Sequence, residues 1–150
     1  MIKKEQFLQI IDNTPLVSID LILEDSQERV LLGKRTNQPA QDFWFVPGGR
    51  IRKNETLDEA IHRISATELG ITLHRKDATL LGAYDHIYRD NFAGTEDINT
   101  HYVALGHKFI IDEKIELNFD QQHSQIQWWN KEVLLADPHV HQNTKAYFLA

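Results

Sequence analysis

The passage from Phe43 to Gly70 constrains the fold of this chain more than any other feature. Phe43-Trp44-Phe45-Val46 is a short run of β-forming apolar side chains, and Pro47-Gly48-Gly49 ends it. A helix with both ends marked is predicted next. Thr56 is a favourable N-cap, and Glu59, three residues on, completes a capping box. Leu57, Ala60, Ile61 and Ile64 recur at helical spacing, and Gly70 is the expected C-terminal stop. Such a helix must bury its apolar stripe against another element, and the flanking sequence offers strands for it.

Leu16 to Leu23 alternates and is rich in β-formers, Glu24 to Glu28 is a polar turn, and Arg29 to Arg35 completes a predicted hairpin. Further strands are predicted at Leu80 to Tyr88, His101 to Ile111 and Ile126 to Trp129. Residues 3–12, Lys131 to Ala136 and Asn143 to Leu149 read as helices. No repeat, low-complexity tract or linker divides the 150 residues, so one domain is expected. The fold class is α/β, a mixed sheet flanked by helices in a sandwich.

Composition narrows the function. Hydrophobic residues are 41% and charged residues 25%, as expected of a globular domain that buries a core. Cysteine is absent, which removes disulfides, thiolate catalysis and sulfur ligands to a metal. Neither a signal peptide nor an apolar run long enough for a membrane helix is legible, so a cytoplasmic protein without a membrane partner is expected. A formal net charge of −6 argues against long nucleic acid as a partner. Arg50, Arg52 and Lys53 nonetheless form a local basic patch suited to a small anion.

The segment from Gly49 to Ile71 resembles the Nudix box. That pattern runs Gly, five residues, Glu, seven residues, Arg-Glu, an aliphatic residue, any residue, Glu-Glu, any residue, Gly, and an aliphatic residue. Gly49, Glu55, Arg63, Glu68, Gly70 and Ile71 match at the right spacing. Ile64 and Thr67 stand where the pattern has glutamates, and Ser65 where it has an aliphatic residue. On a helix the three acidic positions of a full box share one face, enough charge for several metal ions; here only Glu68 of the three remains. Glu68 still suits a single hard cation completed by neutral oxygens, waters and substrate phosphates.

Over nearly its whole length the chain is similar to the GDP-mannose mannosyl hydrolase branch of the Nudix family. The matching pieces include Thr14 to Asp20, Leu32 to Ala40, Trp44 to Arg50, His86-Ile87-Tyr88, Asp90-Asn91-Phe92, Thr100-His101-Tyr102 and Gln121-Gln122-His123. The resemblance implies one Mg²⁺ per subunit, replaceable by Mn²⁺, held by the carbonyl of Gly48, the carboxylate of Glu68 and the side chain of Gln122. It implies His123 as general base, Arg35 neutralising a departing diphosphate, and Arg50 and Arg63 assisting. Asp20 and His86 would meet sugar hydroxyls, and Tyr102 a phosphate oxygen. Ile2 and Phe7, in a segment expected at a homodimer interface (residues 1–14), would reach the nucleotide.

The residues also admit blander roles. Arg63 could pair with Glu59 one turn earlier, Asp20 with Arg35 on the neighbouring strand, and Phe7 could serve helix packing. The implied reaction is water attack at the anomeric carbon of a GDP-sugar, with inversion. An ordinary Nudix pyrophosphohydrolase and a non-catalytic Nudix-fold binding module are the alternatives.

Overall fold

The computed structural model of the chain describes residues 1–111 and 123–149. In chain order the elements are α1 (Lys4–Asn13), β1 (Leu16–Asp25), β2 (Val30–Arg35), β3 (Trp44–Phe45), β4 (Gly48–Arg50), α2 (Leu57–Leu69), β5 (Thr79–Tyr88), β6 (Thr100–Ile111), β7 (His123–Trp129), α3 (Lys131–Ala136) and α4 (Gln142–Lys145). A 3-10 turn, Ala146–Phe148, follows α4. The expected helix from Asn143 to Leu149 is thus a single four-residue helix that tightens into that turn.

The sheet is mixed. β1 runs parallel to β6 along its whole length, from Leu16 opposite Tyr102 to Asp25 opposite Ile111, and β6 pairs antiparallel with β5. The hairpin expected of β1 and β2 holds only next to its turn, where Glu24 faces Val30. Beyond that point the two strands part, and the run from Trp44 to Arg50 enters the gap. Its first half, β3, pairs with β2 through Phe45 and Gly33. Its second half, β4, pairs with β1 through Gly48 and Asp20. Leu21 donates its N–H to the Pro47 carbonyl at 2.8 Å, so the crossover itself is bonded. A proline can make that passage because its carbonyl is all the neighbouring strand requires. Pro47 and Gly48 therefore do not merely end a strand, as the sequence suggests; they carry it from one partner to the other.

β1 sorts its side chains by alternation. Ile19, Leu21 and Leu23 face α2 and pack with Ala60, Ile61, Ile64, Leu69 and Phe109. Ile22 faces the opposite layer with Val30, Leu32, Trp44, Trp129, Leu134, Val140 and Tyr147. The sheet is thus covered on both faces. α2 begins as its sequence dictates: Thr56 accepts from the Glu59 N–H at 3.1 Å, and Glu59 accepts in return from the Thr56 N–H at 3.1 Å. Gly70 ends it with φ of 70°. Ile64, 1% exposed, belongs wholly to the core and touches the space where Gly49 would carry a Cβ. Ile64→Ala should therefore cost about 2–5 kcal/mol, the range for truncating a fully buried aliphatic side chain. Urea denaturation of the two proteins measures it, and a loss below about 1 kcal/mol would contradict this packing.

Candidate active site

The splayed end of β1 and β2 opens a cleft of about 390 Å³. Its walls bring together Asp20, Arg35, Gly48, Arg50, Arg63, Glu68, His86, Tyr102 and Phe7. Ile2 is 42% exposed and is not among the lining residues. Gln122 lies outside the described residues. The backbone of His123 opens β7 opposite Arg35, beside a bulge between Lys34 and Arg35. A separate open depression of about 580 Å³ between Glu55, Asp58, His62 and Arg75 shares none of the other expected residues.

The basic wall is built in two ways. Arg63 is structural in its bonding: its guanidinium holds Glu55 at 2.6 and 2.9 Å and donates to the Arg50 carbonyl at 2.9 Å. The expected partner Glu59 is unavailable because its carboxylate is turned back onto the N-terminus of α2. Glu55 in turn accepts from the Arg52 N–H at 3.0 Å, so one ion pair shapes the whole loop from Arg50 to Glu55. Arg35 and Arg50 instead lie over aromatic rings, Arg35 5.3 Å from the Phe45 centroid and Arg50 4.7 Å from that of Phe7. A ring face supports a guanidinium without consuming its N–H donors. Both cations are thereby presented to the cleft with fork geometry suited to phosphate oxygens.

Phe7 also touches Phe92, with centroids 5.2 Å apart. The N-terminal helix thus reaches the cleft of its own chain. Phe92 is held by its neighbour Asn91, which is fully buried and whose side chain bonds the backbone of Ala93, Thr95 and Ile98.

The acidic side is sparse. Glu68 is 4% exposed on the inner face of α2; Arg63 is raised above its ordinary value mainly by its hydrogen bonds to Glu55, with a smaller contribution from Glu68. Among the described residues no three His, Asp or Glu side chains gather around one point that would hold a metal ion. Gly48 adds backbone only: a Cβ there would lie 2.5 Å from Asp20 Oδ1. Glu68 and the main chain of Gly48 offer oxygen donors of the kind a hard cation takes.

Asp20 faces the C-terminal layer, as alternation from Ile19 requires. Its Oδ2 accepts from the Tyr147 hydroxyl at 2.7 Å, and His86 Nδ1 stands 3.8 Å away. Burial pushes the Asp20 carboxyl up to about 7, against the pull of the Tyr147 hydrogen bond and the Arg35 charge. Arg35 therefore acts on Asp20 through its field, and the hydrogen bond comes from Tyr147. Burial also drives His86 down to about 4, leaving a neutral imidazole. Burial raises Tyr102 and takes Tyr88 up to about 12, so both phenols keep their protons. Tyr88 and Phe92 line the cleft and Tyr147 stands behind Asp20, although none of the three was given a role from the sequence. For Tyr147 one signal exists: Gly106, inside a strand, marks a close approach, and Tyr147 fills that place.

The comparisons with known proteins agree with this architecture. The NUDIX domain family model matches residues 14–150. The chain belongs to the Nudix family and is a Nudix hydrolase. Among its relatives, the low-salt glycan biosynthesis protein Agl8 of Haloferax volcanii is 40% identical over 129 residues, 83% of this chain and 77% of that one. An ADP-ribose pyrophosphatase of Methanocaldococcus jannaschii is 37% identical over 76 residues, 51% of this chain and 43% of the relative. The crystal structure of a MutT NUDIX hydrolase from Burkholderia pseudomallei superposes with a TM-score of 0.70 at 26% identity, over 90% of this chain and 96% of that one. Among the described residues, no helix is long and apolar enough to cross a membrane.

The Arg63–Glu55 pair has a measurable signature. Hydrogen bonding from Arg63 holds the Glu55 carboxyl down at about 2, from an ordinary 4.5. A depressed carboxylate stabilises the fold above its unfolded value and loses that contribution as pH falls through the folded value. Glu55→Gln should therefore cost about 1–2 kcal/mol at pH 7, a figure discounted for solvent screening. The difference should shrink as pH falls from about 4.5 towards 2. Urea denaturation across that range is the check, and a pH-independent difference would contradict the ion pair.

Proposed function

We propose that this Nudix hydrolase releases free sugar from a GDP-sugar, with GDP-mannose the best candidate, by water attack at the anomeric carbon. The observation that supports the reading most is the fate of the acidic face of α2. Ile64 is committed to the core, Thr67 is neutral, and of these three helix positions only Glu68 brings a carboxylate to the cleft, where Asp20 of β1 is the other. A site poor in carboxylates suits a reaction whose task is to stabilise a leaving diphosphate rather than to assemble several metals around phosphorus. The 40% identical relative named for glycan biosynthesis supports a sugar-bearing substrate.

In this reading Glu68, the Gly48 carbonyl and Gln122 hold one Mg²⁺ or Mn²⁺. When bound, the ion neutralises charge on the diphosphate. Arg35, supported on Phe45, takes charge from the leaving group, with Arg50 and Arg63 adding positive field and Tyr102 a hydroxyl donor. Asp20 and the neutral His86 meet sugar hydroxyls. His123 accepts the proton of the attacking water as a new C–O bond forms and the glycosyl C–O bond to the diphosphate breaks. The transition state is oxocarbenium-like and the product sugar is inverted. We further propose a single-domain homodimer in which residues 1–14 contribute to the interface, with Phe7 on the nucleotide.

A second reading has its own support. The ADP-ribose pyrophosphatase relative favours P–O–P cleavage of a nucleoside diphosphate derivative. A panel of GDP- and ADP-sugars with Mg²⁺, read for free sugar against sugar phosphate, separates the two. We expect free sugar from a GDP-sugar, at least 100-fold slower in Glu68→Gln and about 10²–10⁴-fold slower in His123→Ala. Sugar phosphate and a nucleoside monophosphate as products would favour the pyrophosphohydrolase. Full activity in Glu68→Gln would overturn Glu68 as the metal-holding carboxylate.

A further inference from the structure

One buried group beside the cleft has no part in the steps above. Tyr147 lies in the C-terminal 3-10 turn, is 9% exposed, and donates its hydroxyl to Asp20 Oδ2. Its ring is seated between Tyr84, with centroids 4.4 Å apart, and His86 at 5.9 Å. Beneath it is Gly106, the residue of β6 in register with Asp20. Any Cβ on Gly106 would collide with the Tyr147 ring. A glycine inside a central strand weakens that strand, so its place here matches the space the ring needs.

The other carboxylate oxygen has a different setting. Asp20 Oδ1 lies against the backbone of Gly48, and both residues line the cleft. An aspartate turns about two side-chain torsions, and a bond to one oxygen fixes where the other points. His86 Nδ1, at 3.8 Å, is too distant to hold Oδ2 in that way. The hydroxyl that orients the carboxylate therefore comes from the far end of the chain, 127 residues away.

We propose that Tyr147 is a positioning residue that acts through Asp20: it anchors Oδ2 so that Oδ1 faces the cleft and accepts a hydrogen bond from a hydroxyl of the ligand's sugar. The inference rests on the GDP-sugar reading and extends it to a residue outside the Nudix box. Tyr147 then has no contact with the nucleotide. Its loss should affect the sugar step and spare nucleotide binding.

Tyr147→Phe keeps the ring in its seat and removes only the hydroxyl. With GDP-mannose and Mg²⁺, kcat should fall about tenfold, the scale of a modest misplacement, while KM and the inhibition constant of GDP stay within about twofold. In an Asp20→Asn background the same substitution should change kcat less than about twofold, because the group it positions is already altered. Gly106→Ala, which leaves the hydroxyl in the chain but displaces the ring, should reproduce the kcat loss. Thermal unfolding of each variant checks that the fold persists. Equal losses in both backgrounds, no loss in Tyr147→Phe, or a parallel weakening of GDP inhibition would overturn the proposal. Failure of the underlying reading is seen separately, in the wild type, as sugar phosphate in place of free sugar. The same cycle is then read on that reaction and still decides whether Tyr147 acts through Asp20.

Discussion

Gly48 has no room for a side chain and Gly49 has little, and the cleft depends on that. A Cβ on Gly48 would meet Asp20 Oδ1 and the Ile19 carbonyl, both at 2.5 Å, and one on Gly49 would press on Ile64 at 3.2 Å. These two residues let the end of the crossing run from Trp44 to Arg50 pair closely with β1 and pack under Ile64 of α2. If it stood further out, β1 could not carry Asp20 to the cleft from one layer while α2 carries Glu68 from another. The crossing also keeps β1 and β2 apart, and the opening between them is the site.

The cleft gathers two kinds of polar group. One wall of the cleft is cationic and braced: Arg63 is locked by Glu55 and the Arg50 carbonyl, while Arg35 and Arg50 rest on Phe45 and Phe7. Within the field of Arg35 stand polar groups of weak charge. His86 is held uncharged by burial, Tyr88 and Tyr102 keep their protons, and the one carboxylate there, Asp20, is pushed up to about 7 by burial. Polar groups of weak charge suit hydroxyls, and an arginine-lined wall suits a diphosphate. One substrate class that carries both is the nucleotide-sugars.

Much of this was legible in the sequence, for local reasons. The capping box of Thr56 and Glu59, the stripe through Ile61 and Ile64, and Gly70 act within a few residues, and the structure repeats them. The spacing of Gly49, Glu55, Arg63 and Glu68 pointed to the family for the same reason. Long-range events were hidden. Alternation predicts strands for β1 and β2 but says nothing of their parting, because the cause is the segment that enters from Trp44 to Arg50. The choice of Glu55 over Glu59 as partner of Arg63 turns on Glu59 being already engaged as a cap. Tyr147 was invisible in its own neighbourhood, and only Gly106 on another element marked its place. Gln122 lies outside the described residues, so its part in the site stays a proposal from resemblance.

Hydrolysis of GDP-mannose in ¹⁸O-labelled water shows most directly which bond breaks. Attack at the anomeric carbon puts the label in the released sugar and leaves the GDP unlabelled, with the inverted anomer seen first by NMR. Label in GDP, in a nucleoside monophosphate or in a sugar phosphate would show attack at phosphorus. It would contradict the account of this carboxylate-poor site.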